Sequence, residues 1–432
     1  MYINLFIYFI LYSFCFKKSF QSYIIYPFKK STKQEKEYPE DILQNDLEIT
    51  IEIGTPPQKI DLNLRCGEYT FFVASSEMNL PFTTFNEEKS DSCIRLLNFS
   101  SKFRDKEYTE GYKISESITI DNKENKNITL IFATSLSYIE SGALGLKLLN
   151  TFQYGFDLSF IYQIKEQMKL DNYSFFIKYD EDSDEKGQIL IGSFPHIYDS
   201  RNYNEENFYF QKAGKINNMI DWALDFDIIK YNNSEIDGIA KNCLIRVEYG
   251  LIQAPYKLKQ YFQDNYFNRK CNETYYNKRS LYIINCDKDF NIFEFKNLSF
   301  VLKDIEYEFV LTYKDLFIER ENDYIFGIVF DSNINDNTSP WIFGKIFMKK
   351  YQLYFDLDRK IIGLYKNKNN NNNKNKNKEN GKGFSLVYII LIIILTLVSI
   401  GLATVIVYLV KKQRKNKANE LVDDNFDYIP SE

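Results

Sequence analysis

The sequence has a single histidine, His196, among 432 residues. Ser-His-Asp and Cys-His mechanisms both use an imidazole as the base, so this scarcity argues against them and against histidine-rich metal sites. We therefore expect neither a metal nor a cofactor. His196 follows a strand pattern in the segment GSFPHIY, where we expect a surface turn residue.

Glycine is also scarce, and neither sign of charge dominates. The 54 basic and 59 acidic residues give a net charge of −5, which does not indicate a nucleic-acid partner. Only 17 glycines accompany 37 phenylalanines and 34 tyrosines. Such an aromatic-rich composition favours a β-rich fold over a helical bundle.

Two long apolar runs are present. Residues 1–22 are predicted to form a secretory signal segment, with an uncleaved N-terminal anchor as the alternative. Residues 384–410 are 27 uncharged, mostly apolar residues. As a helix they would span about 40 Å, enough to cross a hydrocarbon core of about 30 Å. We therefore expect one C-terminal transmembrane helix.

The remaining segments follow from these two runs. We predict an N-terminal leader over 23–45, an Asn/Lys-rich stalk over 366–383 and a cytoplasmic tail over 411–432. The signal segment would export the bulk of the chain. The expected product is a single-pass type I membrane protein, with its outer domain in the lumen of the secretory pathway or at the cell surface.

The cysteines and sequons agree with export. Five cysteines follow the signal segment, and their spacing matches no zinc pattern, so in an oxidising compartment some would pair and leave one odd thiol. Seven Asn-x-Ser/Thr sequons all precede the run at 384–410, although an Asn-rich chain also produces such motifs by chance. These candidate glycosylation sites are Asn98, Asn127, Asn172, Asn232, Asn272, Asn297 and Asn337.

The middle of the chain reads as strands. DLEITIEIG, KISESITID, KGQILIGS and DRKIIGLYK alternate apolar and polar residues with period two, and turn segments such as GTPPQ separate such runs. PYKLKQYFQDNYF has apolar residues at helical spacing. The pattern predicts an all-β protein with a few short helices.

Several segments, in the correct order, resemble the pepsin-like aspartic protease family (peptidase family A1). They are LEITIEIGTPPQKIDLNL (47–64), ESGALGLKL (140–148), KGQILIGSFPHIY (186–198), IDWALDFDII (220–229) and SPWIFGKIFMKKYQLYFDLDRKIIGLYK (339–366). The resemblance implies a bilobal β-fold with a substrate cleft, the lobes being 46–212 and 213–365. Cys271 and Cys286 fall where the family has its second-lobe disulfide. A second pairing, Cys66 with Cys93, would leave Cys243 free.

Both catalytic positions of the family are altered. The family uses two aspartates that share a proton, each in an Asp-Thr/Ser-Gly turn. Counting from GTPPQ, the first position is Arg65, followed by Cys66. The second aligns with Arg246, and Glu248 replaces the glycine. A wrong alignment of the second lobe is the alternative reading. In the expected fold, Arg65 and Arg246 lie close together at the base of the cleft.

The remaining cleft residues also depart from the family. Arg104 occupies the position of the flap tyrosine, with Tyr108 as the nearest substitute. An arginine cannot serve as acid or base near neutral pH, so the dyad chemistry is lost. Two facing guanidiniums also need counter-charges, which we expect from Glu68 and Glu248, with a bound anion as the alternative.

The resulting hypothesis is a membrane-anchored, catalytically inactive pseudoprotease. It would serve as a surface or lumenal binding module that takes a protein or peptide ligand in its cleft. The alternative is an active aspartic-type endopeptidase that hydrolyses peptide bonds in proteins. Family resemblance supports the second hypothesis, and the chemistry of the two arginines opposes it.

Overall fold

The computed structural model describes residues 23–31, 37–103, 107–120, 123–136, 140–149, 158–183, 185–267, 271–333 and 338–366, together with 408–409 and 411–412. The compact unit that contains both predicted lobes ends at Lys366. Among the described residues, no helix has the length and apolarity needed to cross a bilayer. The span predicted at 384–410 lies outside them, apart from 408–409.

Strands dominate the described part of the chain. In chain order they are β1 (Ile24–Lys30), β2 (Leu47–Ile53), β3 (Gln58–Arg65), β4 (Phe71–Ala74), β5 (Ile94–Phe103), β6 (Glu107–Ile120), β7 (Lys123–Leu136), β8 (Gly142–Gly145), β9 (Ser174–Tyr179), β10 (Lys186–Ile191), β11 (Phe208–Lys212), β12 (Lys215–Ile216), β13 (Met219–Ile220), β14 (Ala223–Tyr231), β15 (Ser234–Glu235), β16 (Asn242–Ile245), β17 (Ile252–Ala254), β18 (Cys271–Tyr276), β19 (Leu281–Asp287), β20 (Leu298–Leu302), β21 (Glu308–Leu311), β22 (Phe317–Glu319), β23 (Asp323–Phe326), β24 (Ile328–Asp331), β25 (Trp341–Phe343), β26 (Tyr354–Asp356) and β27 (Ile361–Tyr365).

The helices are short and lie between strands. The α-helices are α1 (Glu40–Leu43), α2 (Phe160–Met168), α3 (Pro195–Tyr198), α4 (Tyr256–Phe262), α5 (Tyr313–Leu316) and α6 (Lys345–Lys350). A π-helical turn (Gln263–Phe267) extends α4. The 3₁₀ turns are Ser76–Met78, Glu87–Lys89, Glu205–Asn207, Asn277–Arg279 and Ile292–Glu294.

Two large sheets carry the fold. One has thirteen strands in the order β11-β27-β26-β9-β10-β1-β2-β3-β8-β4-β7-β6-β5. The other has twelve, with the path β21-β20-β14-β16-β25-β17-β24-β19-β23-β22, while β15 and β18 pair at its side. This architecture confirms the predicted all-β, two-lobed fold with a few short helices.

One arrangement of four strands occurs twice. In the first sheet β3 pairs parallel with β8, β4 runs antiparallel to β8, and β4 pairs parallel with β7. In the second sheet β16, β25, β17 and β24 repeat these relations in the same order. The repeat places Arg65 at the end of β3 and Arg246 directly after β16, at matching positions of the two halves.

Some strands pair across the boundaries predicted between the leader and the two lobes. β1, inside the predicted leader 23–45, pairs with both β10 and β2. β26, inside the predicted second lobe, pairs with β9 of the first. The first sheet therefore joins both halves of the chain, an arrangement that local periodicity does not encode.

The core lies between alternating faces of these strands. Ile49 and Ile51 of β2 and the residues that face them in β3, Leu62 and Ile60, are at most 1% exposed, as expected for period-two strands with one buried face. Trp222 and Trp341 are fully buried, and each satisfies its indole N–H on a backbone carbonyl. The acceptor of Trp222 is Leu146 O, so the ring links the two halves.

Candidate functional site

The first site residue, Arg65, is the last residue of β3, and its guanidinium lies next to two carboxylates. Its Nη2 and Nε donate to Glu140 Oε1 at 3.1 and 3.3 Å, and its Nη1 lies 3.4 Å from Asp46 Oδ1. Only 20% of the Arg65 side chain is exposed. Burial lowers the pKa of Arg65, but Glu140 and Asp46 outweigh burial and the net pKa is raised. Arg65 is therefore a fixed positive charge.

The second site residue, Arg246, is held by a two-point contact. Its Nη1 and Nη2 donate to Asp221 Oδ1 and Oδ2 at 3.3 and 2.7 Å. Nη1 also donates to Ile245 O at 2.9 Å. Burial lowers the pKa of Arg246, but the negative charges of Asp221 and then Glu248 outweigh burial, and the net pKa is raised. Such a two-point contact between a planar guanidinium and a carboxylate is a strong, charge-assisted arrangement.

Glu248 connects the two loops. It replaces the glycine of the second loop, and its carboxylate accepts from the backbone N–H groups of Cys66 and Gly67 at 3.0 and 2.9 Å. These donors directly follow Arg65, so the two arginine loops are in contact. We call this contact, formed by Glu248, Cys66 and Gly67, the carboxylate clasp.

Asn45 forms hydrogen bonds to the backbone of the loop that carries Glu248. Its backbone N–H donates to Glu248 O at 3.0 Å, and its Nδ2 donates to Val247 O at 2.7 Å and to Tyr179 Oη at 3.0 Å. Asn45 is 1% exposed. The loop that follows Arg246 is therefore hydrogen-bonded both to Asn45 and to the loop that follows Arg65.

The predicted ion-pair partners were wrong. The hydrogen-bonded partners of the arginines are Glu140 and Asp221, while Glu248 binds backbone N–H groups. Glu68 and Glu248 add further negative charge near Arg65, and Glu248 also does so near Arg246. Both true partners lie within motifs that the sequence did single out, Glu140 in 140–148 and Asp221 in 220–229. Glu140 precedes β8, which pairs with β3, and Asp221 precedes Trp222, whose O accepts from Ile245 N.

The predicted flap corresponds to the hairpin of β5 and β6. Arg104 lies outside the described residues, and so do the side-chain contacts of Tyr108. Gly111 lies within β6, opposite Phe99 and Ala133. A Cβ there would lie 2.0 Å from Phe132 O, so glycine is required by close packing of β7.

The cysteine predictions have mixed outcomes. The Cys271–Cys286 disulfide is confirmed, with a separation of 15 residues across the β18–β19 pair. The pairing of Cys66 with Cys93 was wrong, because both are free thiols, and Cys243 is free as predicted. Burial, and next Glu116, raise the pKa of Cys93 to about 12, which disfavours the thiolate form.

The other predicted residues are placed as follows. Asn98, Asn127, Asn232, Asn272 and Asn297 are exposed, Asn172 is half-buried, and Asn337 lies outside the described residues. His196 is half-buried in α3 rather than a freely exposed turn residue, because its ring stacks on Phe194 and its Nδ1 lies 2.8 Å from Tyr365 Oη. Among the described residues, no group of three or more His, Cys, Asp or Glu side chains is arranged to hold a metal ion.

Comparison with known proteins agrees with this geometry. The model of the eukaryotic aspartyl protease family matches residues 48–367, and the chain belongs to that family. It is similar to Plasmepsin VI of Plasmodium berghei (strain Anka), with 27% identity covering 73% of this chain and 74% of that protein. It is also similar to the Acid protease of Saccharomycopsis fibuligera, with 22% identity covering 74% of this chain and 80% of that protein.

Proposed function

We propose that this protein is a catalytically inactive, membrane-anchored aspartic-protease-like protein that binds a protein or peptide ligand in its cleft. The observation that supports the proposal is the occupancy of both dyad positions by Arg65 and Arg246, each with its own carboxylate partner. The chemistry of the family needs two carboxyl groups that share one proton. Arginine supplies neither a proton acceptor nor a proton donor near neutral pH.

No other carboxyl pair replaces the dyad among the described site residues. Glu140 and Asp221 each accept from a guanidinium, and Glu248 accepts from two backbone N–H groups. A shared proton requires two carboxyl groups in direct contact. These three carboxyl groups therefore serve as counter-charges and as a backbone clamp.

The first experiment measures peptidase activity. Purified full-length protein in detergent is incubated with denatured protein at pH 3–6, with and without an aspartic-protease inhibitor. We expect no inhibitor-sensitive cleavage. The double variant Arg65→Asp, Arg246→Asp is also expected to be inactive, because it places new carboxylates beside Glu140 and Asp221 and leaves Glu248 in the glycine position. Inhibitor-sensitive cleavage by the wild type would overturn the proposal.

An active endopeptidase is the second candidate, and the protease names of both relatives favour it. Under this candidate the activity would not use a shared-proton dyad, and it would depend on the carboxyl groups beside the two arginines, Asp221 among them. Cleavage by the wild type that is lost in Asp221→Asn and retained in the exposed control Glu185→Gln would assign the activity to this site.

The anchoring part of the proposal rests on the apolar runs and on exposed sequons. Expressed in a eukaryotic secretory system, the chain should resist extraction by alkaline carbonate and lose apparent mass with an N-glycosidase. Deletion of residues 384–410 should release the glycosylated protein into the medium. A wild-type chain that is extracted by carbonate would contradict anchoring, and one without an N-glycosidase shift would contradict export.

A further inference from the structure

Two of the candidate glycosylation sites, Asn232 and Asn297, lie side by side at one end of the second sheet. Asn232 directly follows β14, and Asn297 directly precedes β20. These strands are antiparallel neighbours, and the Asn232 backbone N–H donates to Asn297 O at 3.0 Å. Both asparagines are exposed. Two sequons that are distant in the chain are therefore adjacent in the fold.

Both asparagines line one cavity of about 490 Å³. This volume is within the range of small-molecule sites, roughly 300–1,000 Å³. The rest of the lining comes from the 3₁₀ turn Ile292–Glu294 with the segment after it, from the turn that follows β14, and from the start of α5. These residues are Asn233, Phe293, Phe295, Lys296, Thr312, Tyr313 and Lys314. None of them belongs to the arginine site.

One wall of the cavity is aromatic. Phe293 is 70% exposed, and its ring meets that of Tyr313 edge-on, with the centroids 5.2 Å apart. Exposed aromatic rings beside a cavity mark a surface that gains from being covered. The apolar face of a pyranose ring suits such a wall, because its partly positive C–H groups meet the negative face of an aromatic ring.

The rest of the exposed lining is polar. It includes the side-chain amides of Asn232 and Asn233 and the ammonium groups of Lys296 and Lys314. Amides and ammonium groups can donate to hydroxyl and carbonyl oxygens. An aromatic wall next to such donors matches a sugar, which has an apolar face and a rim of polar groups.

We propose that Asn297 carries an N-glycan and that its first N-acetylglucosamine lies in this cavity against Phe293 and Tyr313. The proposal rests on the export proposed above, because the glycan is added in the secretory pathway. In the transfer, Asn297 Nδ2 forms a bond to C1 of an oligosaccharide carried on a lipid pyrophosphate. The bond from C1 to the pyrophosphate oxygen breaks, the lipid pyrophosphate leaves with the bonding electrons, and the amide gives up one proton.

The order of the strands favours Asn297 over Asn232 as the acceptor. In the sheet, β20 lies between β14 and β21. Asn297 is therefore next to the end of β21, after which α5 begins with Tyr313. Asn232, in the turn between β14 and β15, is one strand further from that helix. Asn297 also belongs to the same short segment as Phe293.

The first measurement is the rate of sugar release at each site of the folded protein. Full-length protein from a eukaryotic secretory system, held in detergent, is treated with a peptide N-glycosidase that cuts between asparagine and the first sugar. Each cut converts the asparagine to aspartate, which mass spectrometry counts site by site. The control is Asn272, an exposed sequon on β18 outside the cavity. We expect release at Asn297 to be at least about tenfold slower than at Asn272, with similar rates after denaturation.

Two matched variants test the aromatic wall. Phe293→Ala should raise the release rate at Asn297 to nearly that at Asn272, because the sugar loses the ring that it covers. The control Phe210→Ala removes a phenylalanine of β11 that is 53% exposed and lies outside the cavity. It should leave the release rate at Asn297 unchanged. Thermal unfolding checks that both variants are folded.

A second measurement couples the glycan to the ring. Ser299→Ala destroys the sequon but keeps Asn297, while Asn297→Gln removes the acceptor itself. Phe293→Ala should lower the melting temperature more in the glycosylated protein than in either variant that lacks this glycan. We expect a difference on the order of 2 °C. In the control Asn272→Gln, the effect of Phe293→Ala should be unchanged.

Several results would overturn the proposal. Glycan at Asn272 with none at Asn297, or similar release rates at the two sites in the folded protein, would show that no sugar is bound in the cavity. Slow release at Asn232 alone would overturn the choice of acceptor. Unchanged release in folded Phe293→Ala protein, or no coupling in the thermal comparison, would exclude the aromatic wall. A chain without glycan at any sequon would contradict export and remove this proposal with it, so the two failures are distinguishable.

Discussion

At the scale of single residues, Arg65 and Arg246 form ion pairs with carboxylates. A pair of carboxyl groups at 65 and 246 would have to share a proton, whereas a guanidinium beside a carboxylate is satisfied without any proton transfer. Arg246 and Asp221 show this most clearly, because their side chains are only 10% and 12% exposed and are joined by two hydrogen bonds. Removing one member leaves the other buried and uncompensated.

We predict that Arg246→Met lowers the free energy of unfolding by about 3 kcal/mol, because a buried ion pair is broken from one side. The double variant Arg246→Met, Asp221→Asn should recover most of this loss. Asparagine removes the charge and retains an oxygen acceptor for Trp222 N, which now donates to Asp221 Oδ1 at 2.7 Å. Urea unfolding of the single and double variants measures the difference. A double variant no more stable than Arg246→Met would argue against an uncompensated charge as the cause.

At the scale of secondary structure elements, a small helix fixes the N-terminal segment to the second half of the chain. Glu40 of α1 accepts from Tyr276 Oη at 2.7 Å and from Arg279 Nη2 at 2.9 Å. Burial alone would raise the pKa of Glu40, but the hydrogen bonds from Arg279 and Tyr276 outweigh it and lower the pKa to about 2. We therefore predict that acid weakens the attachment of α1.

The sign of this effect follows from linkage. The pKa of Glu40 is lower in the folded state than its ordinary value of 4.5, so its contribution is complete above about pH 4.5 and is lost as the pH falls to about 2. Glu40→Gln should remove this contribution, on the order of 1 kcal/mol after solvent screening, and flatten the stability profile in that window. Chemical unfolding between pH 2 and 7 measures it. The exposed control Glu321→Gln should leave the slope unchanged, and an unchanged slope in Glu40→Gln would refute the assignment.

At the scale of the whole molecule, the carboxylate clasp joins the two halves at their matching loops. Glu248 accepts from the backbone N–H groups of two residues that lie 182 and 181 positions away in the chain and outside any strand. We expect Glu248→Ala to leave both N–H groups without this acceptor, at a cost of about 1–3 kcal/mol for the buried N–H of Cys66 and less for the part-buried N–H of Gly67. The exposed control Glu185→Ala should change stability by less than about 0.5 kcal/mol.

Hydrogen exchange at Cys66 and Gly67 tests the clasp directly. In Glu248→Ala these two amides should exchange at least about tenfold faster, since their protection depends on the contact between the halves. Amides within β3 should keep their rates, because their ladder to β2 is untouched. Uniform acceleration of all amides would indicate a general loss of stability and would count against a local role.

Much of this protein follows from its sequence alone. GTPPQ and the ordered motifs after it indicate the family and the two-lobed fold. Counting from GTPPQ predicts Arg65 at the first dyad position, and alignment of the second lobe predicts Arg246 at the second. The Cys271–Cys286 disulfide also follows from position within the family pattern. Such features depend on local patterns of residues, which a linear sequence records directly.

Only the tertiary structure decides the partners of these residues. Arg65 meets Glu140 across 75 positions of chain, and Arg246 meets Asp221 through the pairing of β14 with β16. The sequence predicted Glu68 and Glu248 instead, because each lies close in sequence to one of the two arginines. Partner choice depends on which strands lie side by side, and strand order is set by burial of the whole sheet rather than by any local periodicity. The same physical reason explains why β1 belongs to the fold although its segment reads as a leader.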